Sequence, residues 1–118
     1  MKLNANNQGL AAEVAAVHFL QQQGLVLLAQ NYSCRFGEID LIMRDQQTLV
    51  FVEVRLRSHQ AFASAADSID HRKQQKLIRA AQHYLQINDL NTPCRFDAIL
   101  FDNPQYRAPN WIRNAIDT

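Results

Sequence analysis

The chain has 118 residues, 47% hydrophobic and 19% charged, with 12 Lys and Arg against 11 Asp and Glu and a net charge of +1. That is the size of a single compact domain, about 100–150 residues, and its apolar content is too high for a disordered chain. No run approaches the ~20 apolar residues needed to cross a bilayer, and residues 1–8 lack the apolar stretch of a signal peptide; a cytoplasmic protein without a membrane partner is expected. The balanced charge leaves any affinity for nucleic acid to a local basic surface.

Gly9 to Gln23 predicts a first helix: Leu10, Val14 and Val17 recur at helical spacing, and four alanines supply propensity. Gly24 stands where a C-terminal stop belongs. Glu13 falls between Leu10, Val17 and Leu20 on the apolar stripe, either inside it or at its edge reaching solvent. Leu25 to Gln30 predicts a short edge strand, and Asn31-Tyr32-Ser33 an irregular connection. Glu38 to Arg44 alternates, with Ile39, Leu41 and Met43 on one side and Glu38, Asp40 and Ile42 on the other. Asp45-Gln46-Gln47 predicts a turn into Thr48 to Leu56, a strand rich in Val and Phe, so that the two runs form a hairpin. Ser58 to Ser68 reads as a mobile loop. Ile69 to Ile87 reads as a second helix, with Lys73, Leu77, Ala81, Tyr84 and Leu85 near one face. Thr92-Pro93 interrupts; Arg95 to Phe101 predicts a strand, Asn103-Pro104 its end, and Trp111 to Ala115 a last short strand. The order α-β-β-β-α-β-β is that of an α/β sandwich.

Residues two apart on a strand point the same way, so Glu53 and Arg55 share a face with Leu49 and Phe51, opposite Val50, Val52 and Val54. A strand this apolar is covered on both faces, which buries Glu53 in part. Hairpin strands lie about 5 Å apart, close enough to set Asp40 beside Glu53. Two desolvated carboxylates repel unless a proton or cation intervenes, and a divalent metal with oxygen ligands, Mg²⁺ or Mn²⁺, suits them. Each residue also has a plain structural role open to it. Asp40 and Glu38 could form an exposed strand face, and Glu53 and Arg55 an ion pair within the sheet. Cys34 and Cys94 are read as reduced structural thiols, and no Cys/His spacing suits zinc.

Gly37-Glu38-Ile39-Asp40-Leu41-Ile42, followed by Val50-Phe51-Val52-Glu53-Val54-Arg55-Leu56-Arg57, resembles the YraN family of bacterial proteins. That family looks like Holliday-junction resolvases and belongs with the PD-(D/E)XK nuclease-like fold. The resemblance extends to Gly9–Ala16 with Glu13, the Asn31 region, Lys73–Leu85 and Arg95-Phe96-Asp97. It implies one nuclease-like domain over residues 1–118, a restriction-endonuclease-like α/β sandwich with a central mixed sheet flanked by helices. It further implies Asp40 and Glu53 as metal ligands, the Val54 carbonyl as a third oxygen donor, and Glu13 as the helical member of the acidic cluster.

Arg55 stands where the motif has Lys. An arginine stays protonated and is a poor general base, yet its guanidinium can hold a phosphate and stabilise developing charge. Metal-activated water alone, a substitute lysine, or loss of activity all fit; Lys73 is the candidate substitute. Arg57, Arg72, Lys73, Lys76 and Arg79 form the candidate nucleic-acid surface, which is otherwise an ordinary solvated helix face. The function implied is metal-dependent phosphodiester hydrolysis on structured or branched DNA. The alternative is a catalytically inactive nucleic-acid-binding or scaffold module. Cutting two strands would call for a homodimer.

Overall fold

The computed structural model describes residues 7–56 and 69–116. Helix α1 (Asn7–Gln22) leads into strands β1 (Val26–Cys34), β2 (Gly37–Asp45) and β3 (Thr48–Leu56); helix α2 (His71–Ile87) precedes β4 (Cys94–Phe101) and β5 (Asn110–Ile112). The five strands form one sheet in the order β1-β2-β3-β4-β5. β3 and β4 run parallel, and the other neighbours are antiparallel. A parallel pair needs a crossover, and α2 lies within it. The fold is a restriction-endonuclease-like α/β sandwich, a mixed sheet flanked by two helices.

The alternation of β3 builds two cores at once. Leu49 and Phe51 pack with Leu77, Ala80 and Ala81 of α2. Val50 and Val52 pack with Ala12, Ala16 and Leu20 of α1. Helix α2 begins at Asp70, whose Oδ1 accepts the Lys73 backbone N–H at 2.8 Å, a side-chain cap for a donor the first turn leaves unpaired. Gly24, at φ +97°, ends α1 in a conformation that favours glycine.

Four expectations are corrected. The buried stripe of α1 is Ala12, Ala16 and Leu20, whereas Leu10 and Val14 are 45% and 58% exposed. The helix meets the sheet through two small side chains, Ala12 and Ala16, and one large one, Leu20, over Met43, Val50 and Val52. β1 does not stop at Gln30; its pairing with β2 carries on through Tyr32↔Ile39 to Cys34↔Gly37, with Asn31 absorbing a φ of +52° inside the strand. The alternation of β2 breaks at Asp40, since Ile39 joins Ile42 in the α2 core while Leu41 and Met43 enter the α1 core. The last strand ends at Ile112, after which the Ala115 N–H donates to the Phe96 carbonyl at 2.7 Å. The Ser58–Ser68 loop lies outside the described residues.

Candidate functional site

The break at Asp40 makes the site. Ladder pairing between β2 and β3 runs from Asp45↔Thr48 to Leu41↔Val52 and goes no further. In place of a backbone partner, the Val54 N–H donates to Asp40 Oδ2 at 2.8 Å. A strand residue turns its N–H and C=O to the same flank, so the Val54 carbonyl faces the same opening. Burial raises the Asp40 carboxyl above its ordinary range, and the charge of Glu38 adds to that. The Val54 N–H, Lys73 and Arg55 oppose it.

Glu53 is 5% exposed. Its Oε2 accepts from Arg55 Nε at 2.9 Å and lies 3.6 Å from Lys73 Nζ. Its Oε1 is buried with no hydrogen-bond partner among the described residues. Burial pushes this carboxyl up, the negative charge of Asp40 pushes it further, and Lys73 and Arg55 pull it back. Both acids feel the same two cations, Lys73 and Arg55.

Glu13 is half-buried on α1, and its Oε1 is also buried without a hydrogen-bond partner among the described residues. Burial, then Asp40, then Glu38 raise its carboxyl, against a hydrogen bond from the Asn31 side chain. The negative charge of Asp40 thus raises both Glu13 and Glu53. Among the described residues, no group of three or more His, Cys, Asp or Glu side chains is arranged to hold a metal ion.

The basic residues divide. Arg55 and Lys73 reach the buried acids. Arg72, Lys76 and Arg79 are exposed on α2, without an acidic partner among the described residues. Arg57 lies outside the described residues. Two polar residues were given no role in the sequence reading. Asn31 was placed in a connection; an Asn beside a strand break, where a positive φ is tolerated, was the available signal. Asp97 is a second buried acid, 2% exposed, and the two-residue spacing from Arg95 was the sign of its ion pair.

The profile of the uncharacterised protein family UPF0102 matches residues 12–101. The chain belongs to that family. UPF0102 is the YraN family of the resemblance. A UPF0102 protein of Nitrosomonas europaea is 55% identical over 114 residues, covering 97% of each chain. One from Psychromonas ingrahamii is 51% identical over 111 residues, covering 94% of this chain and 90% of its own. Another, from Pseudomonas fluorescens, is 52% identical over 112 residues, covering 93% and 92%. UPF0102 membership fixes kinship across nearly the whole chain and names no reaction.

Proposed function

We propose that this UPF0102 chain is a metal-dependent phosphodiesterase-like domain acting on DNA of branched or otherwise folded structure. One observation carries the reading: a nearly fully buried glutamate, Glu53, has an oxygen without a hydrogen-bond partner among the described residues, and its carboxyl, like that of Asp40, is raised. Burying an acceptor without a partner is costly, and the site tolerates it where a ligand or proton completes it.

The donor set suits a hard divalent cation at two carboxylates. Asp40 and Glu53 would hold Mg²⁺ or Mn²⁺, with the Val54 carbonyl on the same flank and Glu13 acting through Asp40. A bound ion supplies Lewis acidity toward a phosphoryl oxygen. The protein's own groups do the rest. Arg55 fixes the Glu53 carboxylate through Nε and retains its other N–H groups for a phosphate. Arg72, Lys76 and Arg79 give α2 a row of charges suited to a backbone, and no described element suits base reading, so shape is the property recognised.

Calorimetric titration of Mn²⁺ and Mg²⁺ into the parent and Asp40→Asn tests this, followed by cleavage assays on four-way junctions. Loss of an outer-shell partner already weakens metal binding by about 10–100-fold, so Asp40→Asn should lose at least as much, and cleavage with it. Unchanged metal affinity in Asp40→Asn overturns the assignment.

The Arg55–Glu53 ion pair, which already supplies a counter-charge, favours one second reading: a non-catalytic nucleic-acid-binding module that retains the fold. Binding that survives EDTA, without cleavage of any DNA or RNA structure tried, identifies it.

A further inference from the structure

We propose that Arg35, in the β1–β2 turn, is a clamp for a DNA phosphate, positioned by Phe36 and continuous with the charged flank of α2 as one backbone-binding surface. This rests on the DNA-binding part of the reading above and requires no metal.

Cys34 pairs with Gly37, so Arg35 and Phe36 are the two residues of the turn. Tight turns favour Gly, Asn, Asp, Pro and Ser, and turn geometry alone gives no reason for a guanidinium and a phenyl ring here. The Arg35 Cζ stands over the Phe36 ring, 4.9 Å from its centroid. The Phe36 ring in turn meets the ring of His83 in a T-shaped contact, with centroids 6.0 Å apart. His83 Nδ1 shares a hydrogen bond with the Tyr32 hydroxyl. A string of contacts therefore runs from β1 through α2 to the turn and ends on Arg35. Arg35 itself is exposed, with no ion pair and no side-chain hydrogen bond among the described residues. The cation–π contact restrains the guanidinium while its N–H donors stay without an acceptor. An arginine ordered in this way is matched to an anion arriving from outside, and its planar fork suits phosphate.

The turn sits against the flank of α2 that bears the charge. At about 100° per residue, Arg72, Lys76, Arg79 and His83 fall within about 60° of one another. The line facing directly away from Leu77, Ala80 and Ala81 is taken instead by Gln75, Gln82 and Gln86. A side chain at Gly37 would meet Lys76 Cβ, and Phe36 meets His83, so the charged flank borders the turn. α2 contains no acid, and Glu38 is the single acid between Val26 and Ile39. Arg35, Arg72, Lys76 and Arg79 thus gather four positive charges on one surface of a chain whose net charge is +1. Such a cluster repels itself until a polyanion neutralises it.

The test is fluorescence anisotropy of a labelled four-way DNA junction with the full chain in EDTA, over a series of salt concentrations. Arg35→Ala should weaken binding by about 10-fold and flatten the dependence of log K on log salt by about one unit. Arg35→Lys should keep the parent slope and still lose affinity, since an ammonium retains the charge and lacks the fork. Phe36→Leu leaves Arg35 in place but unrestrained, and should cost about 2–10-fold with the slope unchanged. Arg44→Ala removes an exposed arginine at the other end of β2 and should bind as the parent does. Parent-like affinity and slope in Arg35→Ala, parent-like affinity in Phe36→Leu, or an equal loss in Arg44→Ala overturns the proposal. So does polyglutamate binding with the same dependence on Arg35, which would make the partner an acidic protein. A parent that binds the junction and, with Mg²⁺ or Mn²⁺ restored, never cleaves it brings down the phosphodiesterase reading and leaves the clamp standing. A parent that cleaves the junction while Arg35→Ala binds it normally brings down the clamp alone.

Discussion

Glu53 and Asp97 lie on neighbouring strands, are 5% and 2% exposed, and differ in almost everything else. Glu53 faces α2. Asp97 faces the α1 side, on the same face of β4 as Ile99 and Phe101. Both oxygens of Asp97 are filled: Oδ1 accepts from Arg95 Nε at 3.1 Å and the Asn114 N–H at 3.0 Å, and Oδ2 from Trp111 Nε1 at 2.9 Å and Arg95 Nε at 3.2 Å. Arg95 reaches on to Asp45 at 3.1 Å, tying β4 to the end of β2. Glu53 has two cations on one oxygen and, among the described residues, no hydrogen-bond partner on the other. Burial alone therefore does not mark a functional acid. Asp97, with its acceptors occupied, ties elements of the fold together, and Glu53 is the acid on which the proposed metal site rests.

The largest effect should come from the filled site. Asp97→Ala leaves the Trp111 and Asn114 donors and the partly buried Arg95 without their acceptor, and should cost about 3 kcal/mol in urea denaturation. A loss below about 1 kcal/mol would erase the contrast between the two acids.

Glu53→Gln should behave in the opposite way, and with a definite pH dependence. Because the folded-state carboxyl is raised, the folded protein holds this proton more tightly than the unfolded chain does. Stability of the metal-free parent should fall as pH rises from the ordinary glutamate value of 4.5 through the raised one, and the penalty is complete above it. Glu53→Gln carries no such penalty. Relative to the parent it should gain stability with rising pH, with the gain absent at pH values below 4.5, as measured by denaturation at matched pH. A relative loss at neutral pH would mean that Arg55 and Lys73 outweigh the burial of Glu53.

The smallest effect concerns the rim of the open site. Replacing Lys76 or Arg79 by Ala should weaken binding to junction DNA to a similar degree across sequences, and should flatten the dependence of log K on log salt by about one unit each. An unchanged salt slope would remove α2's outer face from the proposed interface.

Much of the fold was legible because it depends on pattern. Thr48 to Leu56 coincides with β3, and the element order came out as read, since β-branched runs and helical spacing are properties of local sequence. The site was legible as letters more than as geometry. Asp40, Glu53 and the inward stripe bearing Lys73 were visible from spacing, and the structure brings these three together. The parting of β2 from β3, with Val54 bonding to a side chain in place of a strand, could not be read from alternation, because it consists in a failure of alternation. Leu10 and Val14 misled for another reason. Periodicity says which residues share a face, and only the depth of the opposing layer says whether alanines or larger side chains go into it.

At the β1–β2 turn, Gly37 has a φ of +152°, and a side chain there would meet the Lys76 Cβ at 3.4 Å. Lys76 lies one helical turn from Lys73. The 3.4 Å separation at Gly37 is ordinary van der Waals contact, so it is the backbone angle and not want of room that reserves the position for glycine. Any other residue would strain the corner from which β2 sets out toward Asp40, and the hairpin would have to yield there before α2 did.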